Sequence, residues 1–431
     1  MTAGTVELSR PATRTVHLLP TSPIRRIALL TAATALAALP SGAQAPSGGG
    51  LPMTRAEAVS RAVTRGVRLP VARADTLVAA AELLAARALP NPTVNANYTR
   101  STPNYHVEVE LPLALPWIRG ARVGSARAGA TAARLRYGFA RVAAALDADT
   151  TYTRALAARE RSRLSARTAA DADSLLRLAI ARRDAGDASD LDVELARVNA
   201  GQQANAAASD SLELRSTLLD LQLAIGLAAD SVVAIPVDSL TAPGPVEPVG
   251  GAEPLTVAAA RASFESARLG LSAERRSVWG ALSLLGGFET GDPSGAEPGI
   301  LPVIGVILPL PIFDRNRGAL ATARAEQSRA AAELALAELE SRIQIAQARR
   351  ERDVALARVT RGRAVVESAN RVAAMSLTAY REGASTLPNV LEAQRSAREI
   401  VAQYVDDLAR AWIATATLRV LTMTTAPAQL P

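Results

Sequence analysis

Val107-Glu108-Val109-Glu110-Leu111-Pro112-Leu113 sets aliphatic side chains against acidic ones in alternation, the period-2 pattern of a strand with two unlike faces. A few residues later, from Arg122 to Arg183, the chain reads as one very long helix. The same passage from strand to helix returns in the second half. Leu111-Pro112-Leu113 recurs as Leu308-Pro309-Leu310, and Ser125-Ala126-Arg127-Ala128 as Thr322-Ala323-Arg324-Ala325, both 197 residues on. Gly186/Gly383, Val193/Val390 and Ala196/Ala393 keep that offset, while Arg119-Gly120-Ala121 matches Arg317-Gly318-Ala319 with a slip of one. Chance likeness between alanine-rich segments does not hold one offset over ~80 residues and three kinds of local structure.

Working outward, each half follows one plan. A helix opens it (Thr54–Leu89, Leu255–Ser277), a strand pair follows, then the long helix (Arg122–Arg183, Gly318–Arg381). A glycine turn leads into a return helix (Ser189–Leu227, Leu387–Leu421). At 1.5 Å per residue the long helices span roughly 93 and 96 Å, beyond any compact domain. The shorter ones, stacked end to end, have the length to run alongside. The second return helix carries an apolar stripe, Ala397, Val401, Val405, Leu408 and Trp412, with Arg398, Glu399, Asp406, Asp407 and Arg410 off it. In the first strand Val94, Ala96 and Tyr98 share a face opposite Thr93, Asn95, Asn97 and Thr99. The third and fourth strands, about Ala281–Glu289 and Ile300–Leu310, alternate less cleanly. The loops Arg100–Tyr105 and Thr290–Pro298 have hairpin-loop composition. Pro236, Pro243, Gly244, Pro245, Pro248 and Gly250 mark residues 229–253 as a linker. The expected organisation is therefore residues 1–45 as a signal peptide, 46–228 as a first repeat, 229–253 as the linker, 254–423 as a second repeat and 424–431 as a tail.

Composition agrees with long helices packed side by side. Apolar residues make up 49% but aromatics only 3%, and no cysteine is present, which excludes disulfides, thiolate metal sites and an acylated N-terminal cysteine. All basic residues are arginine. Of the formal charge of +7, residues 1–45 hold +3 (Arg10, Arg14, Arg25 and Arg26 against Glu7). The remaining +4 is dispersed, which argues against nucleic-acid binding. Arg25-Arg26, the apolar run Ile27–Leu39 and Ala43-Gln44-Ala45 form a signal peptide in its usual order, and no later run is long enough for a spanning helix.

Four strands cannot close a barrel, and an open edge in lipid leaves unpaired backbone groups. Three copies supply twelve strands, enough for an aqueous lumen, with the helical hairpins ringed below as a tube of ~100 Å. The expected fold is mainly α with a transmembrane β part. Glu108 and Glu110 are expected to face the lumen, with the aliphatic side chains toward lipid.

From about Leu51 to Met423 the chain resembles the TolC-like outer-membrane factors of tripartite efflux and type I secretion systems. The likeness rests on Ala88-Leu89-Pro90-Asn91-Pro92, on the run Leu308-Pro309-Leu310-Pro311-Ile312-Phe313-Asp314-Arg315-Asn316-Arg317-Gly318, and on Tyr380-Arg381-Glu382-Gly383 leading to Asn389-Val390-Leu391-Glu392-Ala393-Gln394. The middle run most resembles the cobalt–zinc–cadmium branch that serves resistance-nodulation-division pumps. The resemblance implies a homotrimer in outer-membrane lipid, partnered by a periplasmic adaptor (membrane fusion) protein and an inner-membrane pump. It also implies that the hairpin tips (Gly186, Ser189, Gly383, Ser385) contact the adaptor, and that Asn389, Glu392 and Asp192 line the periplasmic aperture. Asn389 departs from the family's commoner acid. The usual basic partner of Asp192 falls on Ser385, so the closing ion pair is expected to be missing and a different latch to take its place.

No catalytic constellation, phosphate loop, cofactor motif or metal-ligand pattern is read in the sequence. Asp184, Asp187 and Asp190 read as solubilising tip charges, and His106 as a lone exposed histidine at a strand edge. A type I secretion or drug-efflux duct is the neighbouring alternative, and a periplasmic coiled-coil scaffold the alternative of another class. An adaptor of that class would need one hairpin and a lipoyl-like β-domain, whereas this chain reads as two hairpins and two strand pairs.

Overall fold

A computed structural model describes residues 50–228, 232–245, 253–277, 282–292, 294–295, 299–308, 310, 312–313 and 315–423. The signal-peptide and tail expectations lie outside these residues, as do parts of the linker and Pro309, Pro311 and Asp314 of the long motif.

The chain opens with a short strand β1 (Leu51–Met53) and two helices, α1 (Arg55–Arg65) and α2 (Leu69–Arg87), where one helix is expected from sequence. The break has a local cause. Gly66 leaves the helical region, and Pro70 sits in the first turn of α2, where its missing N–H costs nothing. Thr54 and Glu57 cap α1 reciprocally: the Glu57 N–H donates to Thr54 Oγ1 (3.3 Å) and the Thr54 N–H to Glu57 Oε2 (2.8 Å). That second bond holds the Glu57 carboxyl below its ordinary pKa.

Strands β2 (Thr93–Tyr98) and β3 (Tyr105–Pro112) form the first hairpin. Helix α3 (Pro116–Asp184) then runs for 69 residues, ~104 Å, starting six residues earlier than expected because Pro116 itself fits the first turn. Helix α4 (Asp190–Ala224) returns along it. Within the linker, β4 (Ala234–Pro236) pairs in parallel with β1, Leu51↔Ala234 to Met53↔Pro236. The linker is thus partly ordered, with β4 as a third element. Helix α5 (Leu255–Ser277), strands β5 (Ser283–Thr290) and β6 (Leu301–Ile307), and helices α6 (Arg317–Arg381) and α7 (Leu387–Leu421) repeat the first half's plan.

The short helices stack against the long ones. Helices α2 and α4 lie on α3, α5 and α7 lie on α6, and α3 also contacts α5 and α7. Alanine at the contacts lets the axes approach: Ala79, Ala130 and Ala133 bury together, as do Ala157, Val405 and Ala409. No helix among the described residues is long and apolar enough to cross a membrane.

Candidate functional site

Three places carry polar side chains that helix periodicity alone does not account for: the sheet, the hairpin tips and a belt around the middle.

The four longer strands form one antiparallel sheet in the order β2-β3-β5-β6. Its register sets the faces. Thr93↔Glu110, Asn95↔Glu108 and Asn97↔His106 on β2–β3, with His106↔Glu289 on β3–β5, place Asn95, Asn97, His106, Glu108, Glu110 and Glu289 on one face. Val94, Val107, Val109, Leu111, Leu284, Phe288, Ile304 and Val306 lie on the other. Ile304 is 90% exposed. A sheet with a carboxylate-bearing face and a bare aliphatic face has no core of its own to bury the second. Its outer strands β2 and β6 each have one neighbour among the described residues. His106 departs from the expected lone, exposed side chain. It is half-buried, with Nδ1 3.0 Å from Glu289 Oε1 and Nε2 3.1 Å from Thr99 Oγ1. Glu289 was legible as the residue alternating with Phe288.

At the far end the hairpins turn on Gly186 (φ 85°) and Gly383 (φ 75°), each ending its long helix. The Asp187 N–H donates to the Arg182 carbonyl (2.8 Å) and the Ala384 N–H to the Ala379 carbonyl (2.7 Å), so the two turns close identically. Leu175, Ala179, Val193, Ala196, Tyr380, Leu387 and Val390 pack the two hairpins together just behind the turns. Ser189 caps α4: the Ser189 N–H donates to Asp192 Oδ2 (3.1 Å), and the Asp192 N–H to Ser189 Oγ (3.2 Å). Asp192 is thus engaged within its own turn, and no arginine pairs with it among the described residues. Across the hairpins, Arg182 Nη1 donates to the Tyr380 carbonyl (2.7 Å), and its guanidinium lies 4.7 Å from the Tyr380 ring centre. Burial pushes the Tyr380 phenol up, opposed by Arg182. Asn389 and Glu392 are exposed on the first turns of α7, Glu392 with Arg395 at 3.1 Å, while Ser385 is half-buried.

The belt was not foreseen. Tyr152 of α3 is buried, its hydroxyl 2.7 Å from Asp238 Oδ2 and 3.0 Å from the Met53 carbonyl. Burial, then the Asp238 hydrogen bond, push its pKa up to about 12. The Arg55 N–H donates to the same Asp238 oxygen (2.9 Å). The Arg55 guanidinium pairs with Asp149, donates to Thr153 Oγ1 (2.8 Å) and stacks 4.0 Å from the Trp412 ring centre. Arg159 donates to the Asp238 carbonyl (2.6 Å). Trp412 Nε1 donates to the Thr241 carbonyl, so the strap at 232–241 is tied to α1, α3 and α7. Tyr152, a rare aromatic inside an alanine-rich helix, was the one sequence signal for it.

Most of this arrangement superposes on solved membrane proteins. A membrane protein from Pseudomonas aeruginosa matches with a TM-score of 0.73 at 22% identity, covering 86% of this chain and 93% of that one. CusC, solved in a study of its folding and transmembrane channel formation, matches with a TM-score of 0.73 at 16% identity, covering 86% and 92%. The outer-membrane protein VceC from Vibrio cholerae matches with a TM-score of 0.70 at 16% identity, covering 86% and 97%.

This chain has the TolC-like fold.

No family model and no curated protein sequence matches it. The sheet and the glycine turns stand at opposite ends of the long helices α3 and α6. The two candidate regions read from sequence therefore lie at the two extremes of the chain, and the belt lies between them.

Proposed function

We propose that the chain is the outer-membrane duct of a tripartite efflux system, working as a conduit and not as an enzyme. The observation that carries this is the sheet: four strands, one face aliphatic and exposed, the other bearing Glu108 and Glu110, with one edge each of β2 and β6 left without a neighbour among the described residues, on hairpins ~100 Å long. In lipid those edges need partners. Three copies joining β2 of one to β6 of the next close twelve strands, turn the aliphatic face to lipid and the glutamates to water, and ring the hairpins into a periplasmic tunnel.

On this reading residues 1–45 are the export signal, 46–228 and 254–423 the two repeats, 229–253 the linker and 424–431 the tail. Gly186, Ser189, Gly383 and Ser385 meet the periplasmic adaptor, which joins the duct to a resistance-nodulation-division pump. Asn389, Glu392 and Asp192 line the aperture, and Arg182 to Tyr380 is the latch that stands where an Arg–Asp192 pair is missing. The run Leu308–Gly318 supports heavy-metal cations as cargo.

The test of the conduit is the purified outer-membrane fraction: a heat-modifiable trimer that conducts ions in a planar bilayer is expected. A monomeric, water-soluble chain overturns the proposal. For the cargo, deletion of the gene is expected to lower tolerance to zinc, cobalt, cadmium or copper. Loss of tolerance to hydrophobic drugs alone removes the metal assignment and leaves the duct.

A further inference from the structure

Between the belt and the tips four helices stand side by side in the order α4-α3-α7-α6: α4 packs on α3, α3 on α7 and α7 on α6. The outer two each bury one stripe against a neighbour, Val193, Ala196 and Leu221 on α4, and Ala348, Ala355 and Val359 on α6. Each carries a second apolar row on its free side. On α4 every seventh residue, Leu191, Val198, Asn205, Leu212 and Leu219, is exposed, and Asn205 is the polar member. On α6 Leu336, Ile343, Val354, Val365 and Val372 are each about half exposed, and at 100° per residue they fall within about 20° of one line. A helix with one neighbour needs one such stripe, so the second marks another contact.

The two rows match in height. The turns at Gly186 and Gly383 close identically, so height is counted from them. Val198 and Val372 stand 12 and 11 residues from their turns, Asn205 and Val365 19 and 18, Leu212 and Val354 26 and 29. Rotation about a tunnel axis preserves height, which sets α4 of one copy against α6 of another in this register.

Gly201 is the independent sign. It lies in the interior of α4 on the side of Val198 and Asn205, where glycine is less favourable than alanine. Nothing in its own copy asks for it, since no atom lies within 4 Å of the place a Cβ would take. Ser368 of α6 stands 15 residues from Gly383, as Gly201 stands 15 from Gly186. Two small residues at one height let two backbones approach closely.

We propose that α4 packs along these rows against α6 of a second copy, with Gly201 against Ser368 of the partner subunit as the point of closest approach. This rests on the duct reading. A second copy is the occupant because α4 and α6 hold the two ends of the helix order as β2 and β6 hold the two ends of the sheet order. The rotation that joins the sheet edges therefore brings the helix edges together.

The chain has no native cysteine, so pairs can be placed cleanly in the full-length protein in outer membranes. Val198→Cys with Val372→Cys, and Leu212→Cys with Val354→Cys, are oxidised with copper phenanthroline. Within one copy α3 and α7 stand between the paired positions, so a disulfide has to join copies, and covalent dimers and trimers are expected on a non-reducing gel. Val198→Cys with Val354→Cys, 12 and 29 residues from the turns, is the mismatched control and is expected to stay monomeric. Gly201→Leu gives a test of opposite sign. Leucine favours the helix over glycine and meets nothing in its own copy, so a free face predicts a trimer at least as long-lived as wild type. The seam predicts dissociation in SDS about tenfold faster or more. A trimer that yields no disulfide with either matched pair, or equal yield with the mismatched one, overturns the seam and leaves the duct. A Gly201→Leu trimer as durable as wild type overturns the close approach. If the outer-membrane fraction holds no trimer at all, the duct reading fails and the seam with it.

Discussion

Replacing Tyr152 by phenylalanine isolates the belt. The substitution keeps the ring and removes one hydroxyl that stands 2.7 Å from Asp238 Oδ2. Both acceptors keep a second donor, while the Asp238 N–H, which donates to the hydroxyl at 3.4 Å, loses that long contact. The Met53 carbonyl still accepts the Val237 N–H at 3.1 Å, and Asp238 still accepts the Arg55 N–H at 2.9 Å. The loss is therefore one hydrogen bond to a charged group and one long contact from a backbone N–H, without an orphaned acceptor, ~1.5 kcal/mol, or roughly tenfold in an opening equilibrium. Ala234, buried where the strap pairs with β1, is the reporter. In Ala234→Cys, the maleimide labelling rate, normalised to an exposed cysteine, measures how often the strap lifts. Tyr152→Phe is expected to raise it about tenfold at pH 8. The pH profile adds a second check. The phenol's pKa is raised from 10.0 to about 12, so the protonated tie is complete below pH 10 and is withdrawn as pH rises through 12. Strap release should climb across that window in the parent and lack this component in Tyr152→Phe. Equal labelling at pH 8, or the same alkaline climb in both proteins, refutes the tie.

Three further outcomes follow from named contacts. Arg182→Ala removes the bond to the Tyr380 carbonyl and the stacking on its ring, and should raise open probability in planar bilayers; unchanged gating would show that the contact is no latch. Gly186→Ala and Gly383→Ala put a Cβ on positive-φ turns at ~1 kcal/mol or more each, read as wider spin-label distances between the tips; unaltered distances would show the turns tolerate a side chain. Glu108→Gln with Glu110→Gln should lower cation-over-anion permeability in the reconstituted trimer, and unchanged selectivity would place both carboxylates off the conduction path.

Different parts of the molecule were legible to different depths, for a physical reason. Strand faces and long helices are periodic, and period is a local property that a few turns reveal. The strand faces, the hairpin turns and most of the buried stripe of α7 could be read that way; Asp407, expected off the stripe, is buried. The break at Gly66 could have been read too, since Pro70 follows it, but an apolar pattern continued across both. The belt is another matter. Arg55 and Asp238 are 183 residues apart, and Asp238 stands in a segment whose prolines and glycines look like those of any linker. His106 hid its partner Glu289 in the same way, across strands from different halves.

The tips show why the internal repeat both helps and misleads. The offset of 197 carries Gly186 onto Gly383 and reproduces the closing hydrogen bonds, so the backbone is twofold in plan. The same offset carries Arg182 onto Ala379 and Arg183 onto Tyr380. The cross-hairpin tie from Arg182 to Tyr380 therefore has no mirror image, because its counterpart would have to run from Ala379 to Arg183. Capping breaks the symmetry too: Ser189 and Asp192 close a capping box on α4, while Thr386 makes no side-chain cap on α7, where Asn389 replaces the acid. The polar functions of Asp192 and Asn389 are thus unequal despite matching positions. One hairpin is fastened within itself and the other is held by its neighbour's arginine. A pair of hairpins fastened so unequally is expected to move unequally, with α7, which carries the proposed aperture residues Asn389 and Glu392, as the more mobile once Arg182 lets go.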